Sequence, residues 1–82
     1  MMEYKYLIIS DLPYKQLLNV KKEDCRSACA ADPKCNHVEY RLKDKRCALG
    51  ALSCAEAKKT HKVRVNTDFN LIAKCPLGMN DI

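Results

Sequence analysis

Four of the six cysteines fall in one stretch, Glu23 to Cys47, with the spacing Cys25-x3-Cys29-x5-Cys35-x11-Cys47. This spacing constrains the fold more than any other feature. Lys21 to Ala31 holds good helix formers and neither Gly nor Pro, so it reads as a helix, with Asn19 as its candidate N-cap. A helix puts Cys25 and Cys29 on one face with Cβ atoms about 5–6 Å apart. A disulfide wants about 3.8 Å, so the two bond elsewhere and the helix is stapled twice. Asp32-Pro33 stops it, because the residue before proline is pushed out of the α region. Cys35 follows closely enough for the chain to turn back onto Cys29. The preferred pairs are Cys29–Cys35 and Cys25–Cys47, which leaves Cys54–Cys75, although spacing alone keeps other connectivities open.

A chain of 82 residues suits one domain, spanning residues 1–82, and a domain this small buries little apolar surface. An even cysteine number then reads as three disulfides in an oxidising compartment, hence a secreted protein. The rival is a cytosolic metal site, which needs Cys-x2-Cys pairs or a Cys/His quartet. No Cys-x2-Cys occurs, and His37 and His61 are far apart in sequence. Met1 to Val20 carries Glu3 and only a brief apolar run, so it is neither a signal peptide nor a membrane span. The expectation is a mature domain in which Met1 or Met1-Met2 was added for expression; the rival is a cytosolic protein with reduced thiols.

Tyr4 to Ile9 reads as a strand, and Leu7-Ile8-Ile9, apolar on both faces, as a central one. Tyr14 to Val20 is open between a short strand and a lead-in to the helix. His37 to Leu42 alternates, with Val38, Tyr40 and Leu42 inward and His37, Glu39 and Arg41 outward. Lys43 to Arg46 is a charged turn, and Cys47 to Leu52 returns as the second strand of a hairpin. Ser53-Cys54-Ala55-Glu56 fits a capping box, so a short helical turn follows to about Lys59. Lys62 to Asn66 is a strand with Val63 and Val65 inward, Asn66-Thr67-Asp68 a turn, Phe69 to Lys74 a last strand, and Pro76 to Ile82 a tail. The fold class is a small disulfide-rich α+β domain, one main helix packed on a twisted, mostly antiparallel sheet of four or five strands. Its expected core is Leu7, Ile9, Ala28, Val38, Tyr40, Leu42, Leu49, Val63, Val65 and Leu71.

The run DCRSACAADPKCNHVEYRLKDKRCAL resembles the centre of a PAN/apple domain. The matching pieces are Cys25 and Cys29 on the helix, Cys35, the strand Val38-Glu39-Tyr40, and Cys47-Ala48-Leu49. The resemblance implies bridges equivalent to Cys25–Cys47 and Cys29–Cys35. It also implies a binding role, since members of that family bind proteins and glycans and some relatives bind heparin. One departure is plain: apple domains join their ends through a first and a last cysteine, whereas no cysteine precedes Cys25 here and Cys54 is additional.

No nucleophile elbow, phosphate loop or metal-binding helix occurs, and paired cysteines leave no free thiol, so no enzyme and no cofactor are expected. Calcium is disfavoured by the lack of an Asp-rich loop. Charge says more. The net value is +5, and Lys21 to Val65 holds twelve Lys/Arg against six Asp/Glu. Two clusters stand out: Arg41, Lys43, Lys45 and Arg46 at the hairpin, and Lys58, Lys59, His61, Lys62 and Arg64 after it. Joined in one surface they attract polyanions, an attraction that salt screens; the plainer reading is a solvated face. Nucleic acid is disfavoured, because the basic segments lack interleaved exposed aromatics. Tyr4, Tyr6 and Tyr14 read either as a sugar-stacking platform or, more commonly, as half-buried strand residues. The expectation is an extracellular binding module recognising a glycan or glycosaminoglycan through the basic face. The alternative is a protein–protein module: a secreted signal, an adhesin part or an inhibitor.

Overall fold

The computed structural model describes residues 1–75; the expected tail, 76–82, lies outside them. The elements run β1 (Met2–Ile9), β2 (Lys15–Leu17), α1 (Lys22–Ala31), β3 (His37–Arg41), β4 (Arg46–Gly50), α2 (Cys54–Lys59) and β5 (Val63–Ala73). The strands form one antiparallel sheet in the order β1-β5-β3-β4-β2, the α+β architecture that the sequence predicts.

Helix α1 covers one face of the sheet. Its buried residues Cys25 and Cys29 pack with Cys35, Val38, Tyr40, Cys47, Leu49 and Ile72. Two disulfides staple it down, Cys25–Cys47 to β4 and Cys29–Cys35 to the segment after its own end. Asn19 does not cap it. The cap position is Lys21, without a side-chain bond, and Asn19 takes φ 55 instead, the left-handed turn that Asn tolerates well. The expected stop holds: Asp32 is extended, and its amide donates back to the Cys29 carbonyl.

Helix α2 covers the opposite face, where Cys54 and Ala57 pack with Leu7, Ile9, Leu71 and Ala73. Ser53 caps it, its hydroxyl accepting from the Glu56 amide at 3.2 Å. The third disulfide, Cys54–Cys75, ties the start of α2 to the residues just past β5. The sheet is thus a middle layer with a disulfide-anchored helix on each side.

Several expectations are corrected. β1 is an edge strand, not a central one. Ile9 is buried because it packs in the cluster that α2 covers, with Cys54, Ala57 and Leu71, not because strands flank it on both sides. Asn66 to Asp68 does not separate two strands; β5 runs continuously from Val63 to Ala73. The turn chemistry is real, with the Asn66 Oδ1 accepting from the Asp68 amide at 3.0 Å, but it acts inside the strand. The β1–β5 ladder slips there: Lys5 faces Asn70 and Leu7 faces Val65, so only Tyr6, at φ 64, stands opposite residues 66 to 69. Such a bulge bends the ribbon. It also breaks the alternation on which the inward assignment rested, and Val65 is 73 % exposed while Val63 is only partly buried. Leu42 is exposed because β3 ends one residue before it, and Ala28 is half-buried at the margin of α1.

Candidate functional site

The β3–β4 hairpin presents the first basic cluster. Arg41 faces Arg46 across the last rung of the ladder, so both side chains leave the same side of the sheet. The Asp44 carboxylate lies between them, 3.8 Å from the Nε of each. That separation gives charge attraction without a hydrogen bond. Lys43 and Lys45 occupy the turn and are exposed. Lys45 sits at φ 56 and its carbonyl accepts from the Val20 amide, which pins a turn that contains no glycine.

The second cluster lies where α2 gives way to β5. Lys58 and Lys59 end α2, where cations complement the helix dipole. His61, exposed at φ 57, turns the chain, and its carbonyl accepts from the Arg64 guanidinium. Lys62 reaches back to Asp11 at 3.6 Å. Arg64 is exposed on the strand and sits opposite Ile8.

The sheet register does not pair the two clusters: Arg41 lies opposite Phe69, whereas Arg64 lies five residues earlier on the same strand. A groove lies beside Asp11, the ion-pair partner of Lys62. It has a volume of about 430 Å³ and is lined by Ile8, Ile9, Ser10, Asp11, Leu12 and Glu39. The bent end of β1 forms one wall and β3 the other. Each basic cluster has a member beside it, Lys62 through its ion pair with Asp11 and Arg41 two residues along from Glu39 on the same face.

Sequence reasoning missed this groove, and it misplaced His37. His37 is 2 % exposed rather than on an outer face, with its Nδ1 2.8 Å from the Leu52 carbonyl and its Nε2 3.7 Å from the Glu39 carboxylate. It is buried because Gly50 faces it across the ladder and offers no side chain to displace the ring. The glycine in Leu49-Gly50-Ala51 was the available signal, since a strand glycine marks a close approach.

The three tyrosines do not form a platform. Tyr14 packs against the α1 face and Tyr4 against the α2 face, while Tyr6 is 48 % exposed at the bulge. Tyr14 has a structural role: its hydroxyl donates to the Asp32 carboxylate, and Lys34 Nζ stands 4.6 Å from its ring centre. Burial first, and then that hydrogen bond and the Asp32 charge, push its phenol up to about 12. Asp32 moves the other way, held below the usual carboxylate range by the Tyr14 bond, the Lys34 amide, and the Lys15 and Lys74 charges. Glu3 is also lowered; burial would raise it, but Lys22 at 3.0 Å, Asn70 and Arg26 together outweigh burial.

Among the described residues no group of three or more His, Cys, Asp or Glu side chains is placed to hold a metal, and no helix is long and apolar enough to cross a membrane. A family model described as a PAN domain matches residues 3–74. No curated protein matches the chain.

Proposed function

Since the chain belongs to the PAN domain family, we propose that it is an extracellular, non-catalytic module that binds a glycosaminoglycan through its basic face. PAN domains are protein- and carbohydrate-binding modules, generally without catalytic activity, and they occur in extracellular proteins. Three disulfides accord with an oxidising compartment.

The observation that carries the reading is the excess of cations from Lys21 to Val65, in a chain of net charge +5, with Lys43, Lys45, Lys59, His61 and Arg64 all exposed. Arg41, Arg46 and Lys62 stand among them with their ion-pair partners half-exposed. Exposed pairs of that kind are weak, so a sulfate can compete with Asp44 or Asp11 for the same cation. Lys58, at the end of α2, completes the second cluster.

The test is retention on heparin across a salt series, wild type against a Lys43→Ala/Lys45→Ala/Arg46→Ala variant. The expected outcome is binding that falls steeply with salt, as screening of exposed charges requires, and that the triple change weakens by at least about tenfold. Equal retention of the two proteins removes the hairpin from the site.

A further inference from the structure

We propose that the groove between the end of β1 and β3 receives an arginine side chain presented by a partner protein, with the Glu39 carboxylate as its counter-ion. This site goes beyond the glycan reading and uses none of Lys43, Lys45 and Arg46, so the two stand or fall separately.

Glu39 is the reason. Its side chain is 15 % exposed, yet no lysine or arginine pairs with it and no donor hydrogen-bonds to it among the described residues. Within ion-pair distance among the described residues it meets only His37, whose Nε2 stays at 3.7 Å, beyond hydrogen-bond range, while the other ring nitrogen is held at 2.8 Å from the Leu52 carbonyl. The other acid that lines the groove is engaged: Asp11 faces Lys62. A carboxylate withdrawn from water without a donor is costly, and a ligand donor would relieve that cost.

The lining states what the ligand must be. The groove's lining is mixed: Ser10, Asp11 and Glu39 are polar, Ile8 offers apolar surface, and Leu12 stands at its edge, 88 % exposed. An apolar side chain that open to water, beside a half-buried carboxylate, suits a ligand with an apolar stem and a cationic head. Arginine has both. Its planar fork gives two parallel N–H bonds to one carboxylate, and its head is less strongly hydrated than an ammonium. A volume of about 430 Å³ has room for one such side chain.

The experiment is a titration of the ¹⁵N-labelled, fully oxidised protein with Nα-acetyl-arginine methylamide, followed by amide chemical shifts. The citrulline analogue, a neutral isostere, and the lysine analogue are run alongside. The expected result is saturable shifts centred on the Ile8–Leu12 and Glu39 amides at about millimolar concentration, the range open to one side chain. Binding should weaken at least about tenfold with citrulline and with Glu39→Gln, and stay unchanged in the Lys43/Lys45/Arg46→Ala variant. Equal shifts from citrulline, equal affinity for the lysine analogue, shifts centred elsewhere, undiminished binding by Glu39→Gln, or no saturation by about 50 mM would each overturn the assignment. The comparison with citrulline uses the wild-type protein alone, so it decides the matter even if Glu39→Gln fails to fold.

Discussion

Replacing Gly50 with alanine tests the packing on which the groove wall rests. An added Cβ would lie 2.2 Å from both Cε1 and Nε2 of His37, and 3.0 Å from its Nδ1. No side chain tolerates such contacts, so the ring must move. It is 2 % exposed, and its Nδ1 is held at the Leu52 carbonyl, so moving it breaks a buried hydrogen bond. Overpacking a fixed core costs about 1–3 kcal/mol, and an orphaned buried polar group costs about 1–3 kcal/mol more. Alanine restricts the unfolded chain relative to glycine and returns about 0.4–1 kcal/mol. Taking the middle of each range, the net loss is about 3 kcal/mol, against a total of about 4–12 kcal/mol for a domain of this size. In thermal terms that is a fall in Tm of about 10–25 °C. Urea unfolding of the oxidised protein, followed by circular dichroism, measures it. The double variant His37→Ala/Gly50→Ala isolates the cause: without the ring, Gly50→Ala should cost less than about 0.5 kcal/mol. A Gly50→Ala protein as stable as wild type, or an equal loss with and without His37, would refute the reasoning.

Further outcomes follow from the stapled helices. Tyr14 has its phenol raised from 10.0 to about 12, so its contribution is complete below pH 10 and is lost as pH rises toward 12. Tyr14→Phe should therefore flatten the alkaline decline in urea midpoint, with Tyr40, also raised, titrating in both proteins. In acid the sign reverses: the lowered Asp32 contributes above its ordinary 3.8 and loses that as pH falls, and without the Tyr14 hydroxyl this loss should shrink. Removing the third bridge by Cys54→Ser/Cys75→Ser frees a loop with a sequence separation of 21; chain-entropy reasoning gives a loss of about 3 kcal/mol. Faster amide exchange should then concentrate in α2 and the end of β5, and uniform exchange across the sheet would count against a local role for this bridge.

Much of the architecture was legible because it depends on local rules. Cys25 and Cys29 at helical spacing, Asp32-Pro33 as a stop, Ser53 as a cap and the alternation of Val38 with Tyr40 each need only a few neighbouring residues. The failures share another character. Val65, Leu42 and His37 were assigned a side from alternation alone, and alternation assumes a flat, unbroken ladder. The three-residue slip opposite Tyr6 and the approach of His37 to Gly50 are set by partners distant in sequence.

The candidate surface divides in the same way. The two basic clusters were visible as composition, because charge is carried by residue type whatever the fold. The groove was not, because Asp11 and Glu39 are 28 positions apart and become neighbours only when the β1–β5 ribbon bends over β3. By itself the sequence determined the stapled helix, the hairpin, the family and the sign of the charge, all of which follow from short-range spacing. Tertiary structure alone decided which strand is the edge, which histidine is buried and that Glu39, poorly exposed, has no lysine or arginine partner among the described residues, because each depends on contacts between elements that the chain brings together only on folding.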